Sequence, residues 1–290
     1  MAFDEYYGDR KGTIHLDWYA VDAAGNRIDY GHMTDQGAHD HWALPRRVRE
    51  ILACRAWQEA PGLASAMPRP EKNLLSYLAL AATPEAKSVA ELGSSLYELY
   101  DGLRAARAML CDVPQLPLEQ MTYYGIEISE LLRDTASALH PGIDLIQYPS
   151  ATQLDHGVDF LYDRMVTSFA FETASECARF INQSRTGLLN LFLSLGDTFR
   201  SSWGGKALTY FSLAELIEEL EQPLFYLFGD RAPGNDHSRG NACVEAFFLS
   251  GTAETAARFG EIASEDAGAQ EYFAAKKIQL TPAAALLVSA

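Results

Sequence analysis

From Lys87 onward, short apolar runs alternate with stretches of helical period, and this rhythm limits the fold more than any other feature of the chain. The runs are SVAEL (88–92), YYGIEI (123–128), IDLIQY (143–148), VDFLY (158–162), LLNLFLSL (188–195), PLFYLF (223–228) and ACVEAFFL (242–249). Strands that are apolar on successive residues are covered on both faces, as in a parallel sheet between two helical layers. Seven runs therefore predict an α/β fold with a seven-stranded, mostly parallel sheet. After the first run, Leu96, Leu99, Leu103, Ala106 and Leu110 recur at steps of three and four and give a helix one buried face. Three helix starts carry the Ser/Thr-x-x-Glu capping box: Ser95 with Glu98, Thr173 with Glu176, and Ser212 with Glu215. The segment GDRAPGNDHSRGN (229–241) has no apolar period and is rich in turn formers, so the last two strands are expected to form a long-looped antiparallel pair.

The two ends of the chain depart from this rhythm. TIHLDWYAVDAAGNRIDYG (13–31) reads as a hairpin-like pair around Gly25-Asn26. Helices are expected from Pro45 to Ala60 and from Glu71 to Ala82, so residues 1–85 form a mainly helical accessory segment. A lid and a dimerisation arm are both open as its role, and with the second a homodimer. Residues 86–252 carry the sheet, and 253–290 form a tail that is helical over Thr252 to Lys277.

Composition removes several classes of function. Lys and Arg number 23 against 39 Asp and Glu, a formal charge of −16, which repels a phosphate backbone. Neither nucleic acid nor a membrane is expected as a partner, since no apolar run approaches the ~18 residues of a membrane span. The N-terminus MAFDEYYGDRKG lacks the basic-then-apolar order of a secretory signal, so a cytoplasmic location is expected. Cys54, Cys111, Cys177 and Cys243 are widely spaced and read as reduced thiols, with no zinc ribbon. His39 and His41 in GAHDHW lack a third ligand group nearby, and no metal is expected.

The chemistry-bearing stretch is VAELGSS (89–95), in which a buried run closes on an acid and a glycine before a helix starts. In an open α/β sheet ligands bind beyond the carboxyl ends of the strands, where helix N-termini offer unpaired amides. Glu91 and Gly93 occupy such an end, and Glu127 in YYGIEIS occupies the next. The glycine pattern needed to seat a dinucleotide pyrophosphate is absent, because residues 93–98 read GSSLYE. An acid ending the first strand, a glycine turn and an acid ending the second strand, within five strand-helix units and a final hairpin, resemble the class I S-adenosylmethionine-dependent methyltransferases over roughly residues 86–252. Here the turn has one glycine where that family commonly has two or three, and the two acids stand unusually far apart.

The resemblance implies a Rossmann-like sheet with an antiparallel last strand and S-adenosylmethionine as cofactor. It implies that Glu127, with Ile128 beside it, meets the ribose, that Glu91 and the amides around Ser94 and Ser95 meet the amino-acid part while Gly93 permits close backbone approach, and that Tyr148 and Ser150 meet the adenine. It places the methyl group near Tyr162 and makes Asp163 a candidate to orient or deprotonate the acceptor and Arg164 one to hold a substrate carboxylate or phosphate. Trp203 and Lys206 in the loop after the fifth strand are candidates to line the acceptor pocket, and His237, in the loop before the last strand, is a catalytic candidate as the base for a phenol or sugar hydroxyl. The expected function is methyl transfer to an O or N atom of a small molecule, such as a secondary metabolite of natural product biosynthesis, a sugar or an amino-acid derivative. An inactive methyltransferase-like assembly subunit and a nicotinamide-dependent reductase are the alternatives.

Overall fold

The computed structural model describes residues 4–10, 13–21, 27–34, 70–94, 97–110, 112–127, 130–164, 166–167, 171, 173–195, 202–203, 206–207, 211–231 and 243–288. The chain opens with an antiparallel meander, β1 (Asp4–Arg10), β2 (Thr13–Val21) and β3 (Arg27–Thr34). Helix α1 (Pro70–Ala81) follows, with proline at the first helical position, where its missing N–H costs nothing. Then come β4 (Ser88–Leu92), α2 (Glu98–Met109), β5 (Thr122–Ile126), α3 (Glu130–Leu139), β6 (Asp144–Tyr148), β7 (Val158–Arg164), α4 (Ala174–Ile181) and β8 (Ser184–Ser194). A two-residue pair, β9 (Ser202–Trp203) and β10 (Lys206–Ala207), precedes α5 (Leu213–Glu219), β11 (Leu224–Arg231) and β12 (Cys243–Ser250). The chain ends through α6 (Ala253–Glu265), α7 (Ala267–Lys276), β13 (Thr281–Pro282) and α8 (Ala284–Val288).

The main sheet runs in the order β13-β11-β12-β8-β7-β4-β5-β6. Strands β6, β5, β4, β7 and β8 are parallel, and β12 is antiparallel to both β8 and β11. This sheet begins at β4, the middle of its five parallel strands, winds to one edge through β5 and β6, and crosses β4 to continue on the other side. This is a Rossmann-like α/β sheet, and its topological switch lies at β4. Apolar residues at consecutive positions feed two separate cores. Val89, Phe160, Tyr162 and Leu188 face a layer built from α1, α2 and α6, while Ala90, Leu161, Leu189 and Leu191 face one built from α4 and α5. Leu74 through Ala82 are all buried, which suits a helix held between other elements.

Every predicted run is a strand, with differences that have physical causes. An eighth strand exists: β13 pairs with β11 through Phe225–Pro282 and Tyr226–Thr281, and two residues are too few to show a period. Strand β8 starts at Ser184, ahead of its apolar run, because Val158 already pairs with Ser184 while Arg185, Thr186 and Gly187 carry no apolar signal. Ser95, the first member of the expected box with Glu98, lies outside the described residues; α2 begins at Glu98 after Tyr97, a left-handed N-cap (φ 60°, ψ 52°) with no side-chain cap bond. Thr173 does accept from the Glu176 amide (3.2 Å), and Ser212 with Glu215 forms the full reciprocal box.

The expected tail helix is two helices, because Asp266 ends α6 and caps α7 by accepting from the Ala269 amide (3.0 Å). At the N-terminus the expected pair of strands is a three-stranded meander. The helix expected over Pro45 to Ala60, on which the mainly helical character of residues 1–85 rested, lies outside the described residues. No helix among the described residues is long and apolar enough to cross a membrane.

Candidate active site

The carboxyl ends of β4, β5 and β7 meet at the topological switch, the place where open α/β sheets bind ligands. In register, Tyr162 of β7 lies beside Glu91 of β4, and Gly125 of β5 lies on the other side of Glu91, with Gln147 of β6 beyond it. Alternation along the strands puts all four on the face that α2 covers. Glu91 is fully buried in this row. Burial, and beyond it the Glu91 carboxylate, pushes the Tyr97 phenol well above its usual range.

The turn after β4 is tightly tied. The amides of Gly93 (2.9 Å) and Ser94 (3.1 Å) both donate to the Ile126 carbonyl at the end of β5, and the Tyr97 amide donates to the Ser94 carbonyl (2.7 Å). Gly93 has φ 72°, and a Cβ there would stand 2.3 Å from Val166 Cγ2. A side chain from the loop after β7 therefore lies where any Cβ at position 93 would sit. Ser94 Oγ and Gln147 Oε1 are buried with no hydrogen-bond partner among the described residues, and both crowd the point where a Cβ on Gly125 would sit, at 2.9 and 3.1 Å. Gln147 is oriented by its Nε2, which donates to the Arg133 carbonyl and to Ser137 Oγ (2.9 Å). Only glycine at 125 leaves room for this polar group under the turn.

Glu127 stands one residue past the end of β5, partly exposed. Its amide donates to the Tyr148 carbonyl (2.9 Å) and its carbonyl accepts from Arg133 Nη1 (2.5 Å), so its backbone is fixed at the rim. Tyr148 lies at the end of β6 with its ring stacked on Tyr124 (centroids 6.2 Å apart, planes 16° apart), and His156 meets Tyr124 edge-on at 4.8 Å. Ser150 caps a short turn over residues 151–153, accepting from the Thr152 amide (3.3 Å).

Near the end of β7, Asp163 is buried, and its Oδ1 accepts from the amides of Val166 (2.8 Å) and Thr167 (3.0 Å) in the loop that follows. It faces α4: burial, and then the Asp163 charge, push the Cys177 thiol well up. Asp163 thus folds the loop that carries Val166 onto Gly93. Arg164 ends β7 in register with Asn190 of β8. Trp203 and Lys206 pair with each other in β9 and β10. Ser95, Ile128, His237, His39 and His41 lie outside the described residues.

The structure therefore joins Glu91, Gly93, Ser94, Glu127, Tyr148, Tyr162 and Asp163 around one rim. Sequence reasoning missed Gly125, Gln147, Val166 and Asn190. A glycine inside YYGIEI and an asparagine inside LLNLFLSL were the available signals, since each interrupts an apolar run without ending it.

No protein-family model matches the chain, and no curated protein matches it. Among solved structures it is similar to the N-terminal domain of EvdMO1 with SAH bound, at 13% identity over 74% of this chain and 99% of that one (TM-score 0.46). It is similar also to the plantazolicin methyltransferase BpumL in complex with SAH, at 13% identity over 74% and 93% of the two chains (TM-score 0.38). A third is the O-methyltransferase TomG from Streptomyces achromogenes, involved in tomaymycin synthesis and in complex with SAM, at 14% identity over 71% and 88% (TM-score 0.41).

Proposed function

We propose that the chain is a class I S-adenosylmethionine-dependent methyltransferase acting on an O or N atom of a small molecule. One observation carries the reading: two carboxylates, Glu91 and Glu127, stand at the ends of adjacent parallel strands on either side of a glycine turn, at the switch point of the sheet. Glu127 reaches the rim with its backbone held by Tyr148 and Arg133, where a carboxylate can accept from both hydroxyls of a ribose. The acid row suits a sulfonium and disfavours a pyrophosphate. Ser94 Oγ and Gln147 Oε1, buried and without hydrogen-bond partners among the described residues, add polar capacity beneath the turn.

When bound, the cofactor supplies an already activated methyl group, so alignment accounts for most of the acceleration asked of the protein. On this reading Tyr162, which pairs with Glu91 in register, lies toward the transferred methyl group. Asp163 positions: it holds the loop after β7 by accepting two backbone amides. The second reading, a methyltransferase-like subunit without activity, is favoured by the amides of Gly93 and Ser94, which are already engaged by Ile126.

Isothermal titration with S-adenosylmethionine and S-adenosylhomocysteine separates the two. The enzyme reading expects binding of both, and Glu127→Ala should weaken it by about 1.5–3 kcal/mol, the loss of charged hydrogen bonds. Absence of binding sinks the enzyme reading, and unchanged affinity of the variant refutes the role of Glu127.

A further inference from the structure

On the sheet face covered by α1, a side-chain amide of β8 is buried without a hydrogen-bond partner among the described residues. Asn190 is 0% exposed, and neither its Oδ1 nor its Nδ2 has a hydrogen-bond partner among the described residues. A carboxamide has two donor and two acceptor positions, and burying it unpaired opposes folding. Its neighbours along the strand, Leu188, Leu189, Leu191 and Phe192, are all buried, so an apolar residue would suit the packing better. Folding alone gives no reason for an asparagine here.

Its position suggests one. The last residue of β4, Leu92, pairs with Asp163, whereas Asn190 pairs with Arg164, one step farther toward the carboxyl rim. On its other side Asn190 pairs with Phe247, whose ring stacks on Phe228 (centroids 4.9 Å apart). One pleat back on the same face, Leu188 pairs with Tyr162, and Tyr162 pairs with Glu91. Glu91, Tyr162 and Asn190 thus form a diagonal that leads from the cofactor half of the rim to the half that β7 and β8 bound, closed at its far end by stacked phenylalanines.

We propose that Asn190 binds and orients the methyl acceptor, and that the acceptor presents a hydroxyl or an amide group there, to which Nδ2 donates and which donates to Oδ1. A carboxylate could satisfy only the donor, and a hydrocarbon neither. The role as acceptor contact rests on the methyltransferase reading; the unpaired amide does not.

The test uses the full-length protein and Asn190→Leu. The leucine variant should melt higher by roughly 2–4 °C, as expected when a chain of this size gains about 1 kcal/mol, and it should bind S-adenosylhomocysteine as wild type does. In nitrogen-15 spectra recorded with S-adenosylhomocysteine present, the amide pair missing from the variant identifies Asn190. Millimolar D-fucose or acetamide should shift that pair, and toluene should not. A lower melting temperature for Asn190→Leu means that the amide is satisfied within the fold, and overturns the proposal, as does an amide pair that neither polar probe shifts. If neither protein binds S-adenosylhomocysteine while a polar probe still shifts the pair, the methyltransferase reading falls and the binding role of Asn190 stands.

Discussion

A Cβ added to Gly93 meets two obstacles that can be measured separately. The positive φ costs a non-glycine residue roughly 1–2 kcal/mol, and the 2.3 Å approach of Val166 Cγ2 adds a clash. Gly93→Ala should therefore lower stability by more than either alone, and Val166→Ala should cost less in the Gly93→Ala background than in wild type, as chemical denaturation of the four proteins would show. Equal costs would mean that the two residues do not share the space. Asp163 allows a similar dissection. If its work is to accept the amides of Val166 and Thr167, Asp163→Asn keeps an acceptor and should retain most activity, whereas Asp163→Ala should lose activity and stability together. A general base would fail equally in both variants, and comparing their rates across pH decides between the roles.

Among the elements, the strands were legible in the sequence and the turns were only partly so. Runs such as VDFLY announce themselves because both faces need apolar cover. The start of β8 and the whole of β13 are held by backbone pairing, which leaves no trace in side-chain type. Glu91 and Glu127 were readable as rim residues from their place at the ends of apolar runs. The fate of the turn was not, because Tyr97 adopts a left-handed conformation that tyrosine seldom takes, and Val166 reaches Gly93 across a gap in sequence.

At the opposite end of the sheet, Asp159 of β7 ties three strands: it accepts from the amides of Lys87 (2.8 Å) and Ser88 (3.0 Å), from Ser88 Oγ (2.9 Å) and from Arg185 (3.3 Å). Burial alone would raise its carboxyl, but these bonds outweigh it and hold the group below the usual carboxylate range. A depressed folded pKa lends stability that is present above the unfolded value of about 3.9 and is lost as pH falls through the folded one. Wild type should accordingly lose more stability than Asp159→Asn as pH falls below about 4, measured by urea midpoints. Parallel pH dependence would refute the assignment.

In the whole molecule, the segment after Gly251 belongs to the core of the sheet domain. Phe259, Ile262 and Ala263 of α6 are buried in the same core as Leu75 and Leu78 of α1, and Ala283, next to β13, is buried against the other face. Deleting residues 253–290 should therefore abolish cooperative unfolding rather than trim an appendage. A truncated chain that still melts sharply near the wild-type temperature would show the tail to be dispensable.

The packing of α1 against α6 also has a consequence on the ribosome. The helix that leaves the tunnel first among the core elements can meet α2 early, but the part of it that packs on α6 waits for nearly the last element to be made. Contacts this distant along the chain make folding slow and the waiting intermediate prone to aggregate. Yield from a recombinant host should then respond to slower synthesis or chaperone supply more than to any change at the rim of the sheet.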